Sequence, residues 1–198
     1  MNDRVVIVST GTANVASMIA GLRRAGASPE RTADPDRVAV ADRVVVPGVG
    51  TFAAAMQHLR ASGMDDALRE RVRAGRPVLA VCLGLQLLGK TSEESPGERG
   101  LGIVDGCVIR LPPGARVPQL GWNEVAADGP GLVRRGHAYF ANSFCLDRCD
   151  ASWRVVYADH GGPFIAALER DAQLACQFHP ELSGGWGVQL LSRWMAAC

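Results

Sequence analysis

The sequence predicts a single α/β domain with a central mixed, largely parallel sheet flanked by helices. Three observations carry this expectation. Short, almost wholly apolar runs recur at Arg4–Ser9, Arg43–Val46 and Pro77–Val81. Strands buried on both faces read this way, because each side of the pleat then needs apolar side chains. The segments between these runs have helical rather than alternating spacing, as crossover helices do. The length of 198 residues, with 47% hydrophobic and 21% charged residues, suits one globular domain and leaves no room for two catalytic ones.

The elements follow in order. After Arg4–Ser9, a Gly-Thr-Ala-Asn turn leads into a helix from about Asn14 to Ala25. Val15, Met18, Ile19 and Leu22 give it an i, i+3, i+4, i+7 stripe, and Gly26 suits its C-terminal cap. Arg43–Val46 runs into Pro47-Gly48-Val49-Gly50, and helices are expected over Thr51–Leu59, with Thr51 as N-cap, and Met64–Ala74. Pro77–Val81 is the third strand, followed at once by a helix over Leu83–Lys90. Shorter strands are expected at Gly106–Arg110, Asn123–Val125, Tyr139–Cys145, Arg154–Tyr157, Phe164–Glu169 and Leu174–Phe178. A helix from about Gly187 to Ala197 closes the chain, and Ser92–Gly100 is a polar loop. No repeat or linker divides it, so 1–198 reads as one domain.

Charge and cysteine usage narrow the function. Lys+Arg 21 against Asp+Glu 20 gives a net charge of +1, with no global field to attract nucleic acid or an anionic membrane. Arginine supplies nearly all the positive charge, Lys90 being the one lysine, which reads as compositional bias rather than a binding surface. Val5–Val8 is too short for a signal peptide or a membrane span. Six cysteines (82, 107, 145, 149, 176 and 198) form no CxxC pair and no zinc spacing. Free thiols in a reducing cytoplasm are expected. No His/Cys/carboxylate cluster has ligand spacing, so neither a metal nor a cofactor is expected.

Chemistry concentrates at three places. In Pro77-Val-Leu-Ala-Val-Cys82-Leu83-Gly84-Leu85-Gln86 a buried strand runs into a cysteine and a helix starts immediately after it. A sharp strand-to-helix turn presents such a thiol beside free backbone N–H groups, and the positive helix end favours its thiolate. The turn needs small residues two before and two after the nucleophile, here Ala80 and Gly84. A structural cysteine at a strand end is the plainer alternative. A nucleophile also needs a base. Of the four histidines, His58, His137 and His160 lie in surface-like contexts. His179 lies in Gln177-Phe178-His179-Pro180-Glu181, where an extended chain puts His179 and Glu181 on one face and the carboxylate can orient the imidazole. The third place is Pro47-Gly48-Val49-Gly50, whose glycines free the backbone to present an N–H to an oxyanion. An ordinary strand-to-helix turn explains it as well.

Together, the Cys82 turn continuing as Leu-Gly-Leu-Gln, the Pro-Gly-Val-Gly segment and the His-Pro-Glu triplet resemble the class I glutamine amidotransferases, of flavodoxin-like fold. Within them the resemblance runs nearly end to end with the glutaminase subunits of imidazole glycerol phosphate synthases. It is carried by Thr10–Asn14, Pro47–Thr51, Ser92–Ser95 with Leu101–Ile103, Val117–Asn123, and Tyr139-Phe140 with Ser143. The resemblance implies that Cys82 attacks the glutamine amide, that His179, oriented by Glu181, moves the proton, and that a glutamyl thioester is hydrolysed to glutamate. It implies an oxyanion site from Leu83 with Gly48, Val49 or Gly50, and substrate contacts from Gln86, Asn142, Ser143 and Phe144. The partner it implies is a separate (β/α)₈ cyclase of histidine biosynthesis, which receives the ammonia and faces Asn14, Pro118, Leu120 and Trp122. By its neighbours alone, Trp122 reads as core.

Four positions depart from the family pattern. Ala80 stands where glycine is usual, Asn142 and Gln119 where histidines are usual, and Leu182 where a basic residue is usual. A divergent paralogue serving another synthase therefore stands beside the leading reading. A cysteine hydrolase on a related fold also accounts for Cys82 and His179, though not for Pro118–Asn123.

Overall fold

The structure, a computed structural model, describes residues 3–11 and 15–198. Strand β1 (Arg4–Val8) runs parallel to both β2 (Ser28–Thr32) and β3 (Val44–Val46), and β3 runs parallel to β4 (Val78–Val81). On the other side of β4 lies β12 (Gln173–Cys176), also parallel, then β11 (Pro163–Arg170) and β10 (Arg154–Asp159), both antiparallel to their neighbours. These seven strands form one mixed sheet in the order β10-β11-β12-β4-β3-β1-β2.

The alternation hidden in the apolar runs is now visible. Val5 and Ile7 of β1, Val45 of β3, and Leu79 and Val81 of β4 point to one face, where α1 (Val15–Arg24) and α6 (Gly184–Ala196) contribute Met18, Leu22, Leu190, Leu191 and Trp194. Val6, Val8, Val44, Val46, Val78 and Ala80 point to the other face. There α3 (Phe52–Ala61) and α4 (Met64–Arg73) supply Phe52, Met56, Leu59, Met64, Leu68 and Val72. Two apolar layers thus enclose every central strand, as the sequence predicted.

Several elements differ from expectation. The strand β2 and the short helix α2 (Pro35–Val40) were not among the expected elements. β2 is the sheet edge, with only Thr32 buried, so its sequence Ser-Pro-Glu-Arg-Thr is polar, as edges are. α2 is instead signalled by its cap, Asp34 accepting from the Asp36 N–H with Pro35 in the first turn. The helix α5 (Leu83–Leu87) is shorter than predicted, because its last turn tightens and the Gly89 N–H bonds the Gln86 carbonyl at 3.0 Å. The expected strand over Tyr139–Cys145 is two strands that break at Ser143. β8 (Gly136–Asn142) pairs with β7 (Gln119–Val125) in a hairpin, while β9 (Phe144–Leu146) joins β6 (Cys107–Arg110) and β5 (Thr91–Ser92) in a small second sheet. Among the described residues no helix is long and apolar enough to cross a membrane.

Arg71 ties the helical layer to the sheet. Its guanidinium is buried and donates to the carbonyls of Val38, Ala41, Asp42 and Pro77. Burial, together with the nearby Arg76 charge, lowers its pKa to about 10, so backbone dipoles hold the charge in place of a carboxylate. Replacing Arg71 with Met should leave these carbonyls short of donors and lower stability by about 3 kcal/mol, or roughly 10 °C in Tm. Thermal unfolding checks this, and an unchanged Tm would show that water replaces the guanidinium.

Candidate active site

Cys82 occupies the turn between β4 and α5 with φ 55° and ψ −109°, a left-handed conformation that side chains rarely adopt. Its N–H is tied to the Cys176 carbonyl of β12 at 2.7 Å, and its carbonyl accepts from the Gln86 N–H of α5. The strand therefore ends and the helix begins within one residue. Such a turn forces the following helix close to the neighbouring strand. A Cβ at Gly84 would fall far inside van der Waals contact of the Val46 carbonyl oxygen of β3, and a Cβ at Gly48 would lie 2.7 Å from Leu83 Cβ. Those two glycines are where the turn and the loop after β3 meet. Ala80 is fully buried in β4 without preventing the turn.

His179 reaches this point from the end of β12. The sequence suggested an extended segment through His179 and Glu181, but Pro180–Leu182 forms a 3₁₀ turn with His179 at its N-cap. Proline at the first position presets that turn. The two side chains still meet, with Nδ1 of His179 at 2.9 Å from Oε1 of Glu181. Burial of the imidazole lowers its pKa, but hydrogen bonds to Cys82 and Glu181, and the charges on both, outweigh burial and push it up to about 10. With Nδ1 engaged by Glu181, Nε2 is the nitrogen left for Cys82.

The backbone around this histidine is pinned. Its N–H donates to the Tyr139 carbonyl of β8 at 2.9 Å, and Ser183 Oγ donates to the His179 carbonyl at 2.6 Å while accepting from the Tyr139 N–H. Arg24 of α1 donates to the Glu181 carbonyl at 2.9 Å. Ser183 and Arg24 were missed in the sequence, where nothing marks a serine or a distant arginine as supporting a histidine.

A cleft of about 160 Å³ opens beside the histidine, lined by Pro47, Gly48, Val49, Val81, Ala141, His179, Glu181 and Leu182. Gly48 and Val49 border it, but Gly50 does not and lies exposed at the loop end. Leu83, buried, opens α5, where the first N–H groups lack intrahelical acceptors. Beyond the loop, the Phe52 N–H donates to Glu94 Oε2 at 2.7 Å and the Ala53 N–H to Ser95 Oγ at 3.2 Å. The Ser92–Ser95 segment thus anchors the helix that follows this loop.

The predicted substrate-side residues gather around one carbonyl. Phe144 O accepts from Gln86 Nε2 at 3.0 Å and from Asn142 Nδ2 at 3.1 Å. Ser143 carries the strand break, its carbonyl accepting from the Leu111 N–H. Asn142 and Gln119 face each other across the hairpin, both buried, and Asn142 Oδ1 and Gln119 Oε1 have no hydrogen-bond partner. Of the remaining cysteines, burial pushes the thiols of Cys145, Cys149, Cys176 and Cys198 up. Among the described residues, only Cys82 has a histidine at hand. His58 and His137 are exposed, and His160 binds the Arg116 carbonyl.

Of the predicted partner-facing residues, Pro118 is exposed, Leu120 is 68% exposed and Trp122 58%. Trp122 is therefore not core. It stands on the outer face of β7, edge-on to Tyr139, while its strand neighbours Gln119 and Val125 point inward. Asn14 lies outside the described residues.

A family model described as glutamine amidotransferase class-I matches residues 12–196. The chain belongs to the class I glutamine amidotransferase family. It is 40% identical over 196 residues to a protein of Symbiobacterium thermophilum named "Imidazole glycerol phosphate synthase subunit HisH", covering 96% of this chain and 92% of that one. A Leifsonia xyli subsp. xyli protein of the same name is 39% identical over the full length of both chains. The crystal structure of a glutamine amidotransferase superposes with a TM-score of 0.78 at 22% identity, covering 97% of each chain. That likeness establishes the fold.

The imidazole provides a direct check on the geometry. With its pKa raised, His179 stays protonated between about pH 6 and 8. Glu181→Gln removes the carboxylate charge that favours the imidazolium, so the His179 titration midpoint should move down in pH. Proton–carbon NMR of the His179 ring reads this shift; an unmoved midpoint would mean that Glu181 does not set the proton.

Proposed function

We propose that the chain is the glutaminase subunit of an imidazole glycerol phosphate synthase. The observation that carries this reading is the contact of Cys82, on its left-handed turn, with a histidine whose pKa is raised by hydrogen bonds to Cys82 and Glu181. Cys82 Sγ attacks the side-chain amide carbon of glutamine, and the carbonyl oxygen becomes an oxyanion. The N–H of Leu83, together with one from Gly48 or Val49, receives that charge. His179 protonates the amide nitrogen, ammonia leaves, and a glutamyl thioester remains on Cys82. His179 then takes a proton from water as it attacks the thioester, releasing glutamate. Glu181 holds the imidazolium through both steps, as the third member of a triad does. Gln86, Asn142, Ser143 and Phe144 form the side of the site nearest the substrate's α-amino and carboxylate groups.

The partner in this reading is a (β/α)₈ cyclase that consumes ammonia in histidine biosynthesis, in the cytoplasm. Support comes from the relatives' shared name and from exposed apolar side chains, Val49 and Leu182 at the cleft and Leu120 and Trp122 on the outer face of the β7–β8 hairpin. Asn14 and Pro118 belong to the same predicted face. Glutamine is a small zwitterion and the partner a protein, which suits a chain with a net charge of +1. Gln119, Asn142 and Leu182 favour one second reading, a paralogue that delivers ammonia to a different synthase.

Glutamine hydrolysis by the purified chain should be slow alone. It should rise at least about 100-fold, the scale of a coupling near 3 kcal/mol, when the cyclase and its nucleotide ligand are added. Cys82→Ala should abolish the activity, and Trp122→Ser should weaken the stimulation. A rate indifferent to the cyclase would favour the second reading, and an active Cys82→Ala variant would remove the nucleophile.

A further inference from the structure

Gln177 is wholly buried, one residue past the end of β12, in a stretch where every neighbour is apolar or part of the site. A buried amide is costly unless both its ends are bonded, so its partners identify its role. The backbone of Gln177 is fixed by its N–H to the Ala166 carbonyl at 2.8 Å. Its side chain runs between Gln86 and Cys82, with Oε1 3.1 Å from Gln86 Nε2 and Nε2 3.6 Å from Cys82 Sγ.

The direction of these bonds follows from one atom. The carbonyl of Phe144 can only accept, so the Gln86 atom 3.0 Å away must be its amide nitrogen. That nitrogen spends its second proton on Gln177, which makes the near end of Gln177 the carbonyl oxygen. The far end, against the sulfur, is then an N–H donor. A flipped Gln177 would set an oxygen against Sγ and a nitrogen against a nitrogen. The relay from Phe144 through Gln86 and Gln177 to Cys82 therefore has a single allowed polarity.

We propose that Gln177 is a further catalytic residue of the glutaminase reaction, donating an N–H to Cys82 Sγ, with Gln86 as the positioning residue that fixes its polarity. The inference rests on Cys82 being the nucleophile, as proposed above. Three polar groups meet the sulfur: the imidazole of His179, the amide of Gln177 and, at 3.9 Å, the Ala141 carbonyl, which can only accept, so the amide is the uncharged donor among them. The imidazole takes the proton. The amide has no proton to lose and no charge, so it holds the sulfur in place and stabilises its negative charge without competing for the proton. It plays the same part in the second step, when the thioester breaks and the sulfur leaves with the bonding electron pair. Gln86 consequently has only its carbonyl oxygen left for a ligand, which suits contact with an ammonium rather than a carboxylate.

The test compares Gln177→Met, which keeps the shape and removes the donor, with Gln177→Glu, which keeps the shape and sets an acceptor against the sulfur. Glutamine hydrolysis is measured on each variant with the cyclase present, and alkylation by iodoacetamide is followed residue by residue by mass spectrometry. Gln177→Met should lower kcat about 10-fold or more, the scale of a hydrogen bond to a charged group, with KM within about twofold. Alkylation at Cys82 should slow alongside it, Gln177→Glu should be slower still, and buried Cys145 and Cys176 should stay unlabelled. Wild-type kcat and Cys82 labelling in both variants would overturn the proposal. So would a loss confined to KM, or one accompanied by labelling of Cys145 and Cys176, which would assign Gln177 to packing. Cys82→Ala, run alongside, separates the two levels: if it remains active the nucleophile itself is wrong, whatever Gln177 does.

Discussion

The left-handed turn at Cys82 is held by three strands at once. β4 delivers the residue, β12 binds its N–H through the Cys176 carbonyl, and the Val46 carbonyl of β3 presses against the first turn of α5. A side chain at positive φ costs on the order of 1–3 kcal/mol. The turn persists because relaxing it would unpair the centre of the sheet, where Leu79, Val81 and Cys176 are buried on one face and Val78, Ala80 and Ala175 on the other. The sulfur is thereby pushed out of the sheet at its most rigid point, toward His179 and the loop after β3.

The histidine arrives by a different route with the same logic. β12 carries it to the strand ends beside Cys82, the 3₁₀ turn brings Glu181 back onto its ring, and the β7–β8 hairpin holds its backbone through Tyr139 and Ser183. Burial in this setting disfavours a charged imidazole, and hydrogen bonds to Cys82 and Glu181 reverse the balance. The raised imidazole pKa is therefore a property of the folded site. The hairpin that pins His179 also carries Leu120 and Trp122 on its outer face, so whatever docks there touches the element that positions the base.

Much of this was legible in the sequence, and the exceptions have physical reasons. The all-apolar runs identified β1, β3 and β4, because a strand enclosed by two helical layers must be apolar throughout. β2 was not legible, because an edge strand with one buried residue looks like a loop. Cys82, His179 and Glu181 stood out since their spacing relative to strand ends is itself chemical information. Trp122 misled, because a tryptophan beside a glycine suggests core, whereas strand alternation alone turns it outward. Gln177 falls inside the expected strand Leu174–Phe178 and drew no role there, yet a glutamine that directly follows a wholly buried strand and lies two residues before the histidine needs a buried partner. That partner, Cys82, is 95 residues away, a separation no local pattern reveals.

The central claim is that the turn at Cys82, which requires Gly84, makes this one thiol reactive toward glutamine. Treating the chain with a diazoketone analogue of glutamine in the presence of the cyclase, and mapping the adduct by mass spectrometry, tests it most directly. The account predicts one adduct on Cys82 in the wild-type chain, none on the other five cysteines, and none in a folded Gly84→Ala variant. An adduct on any other cysteine, or undiminished labelling of Cys82 in Gly84→Ala, would contradict it.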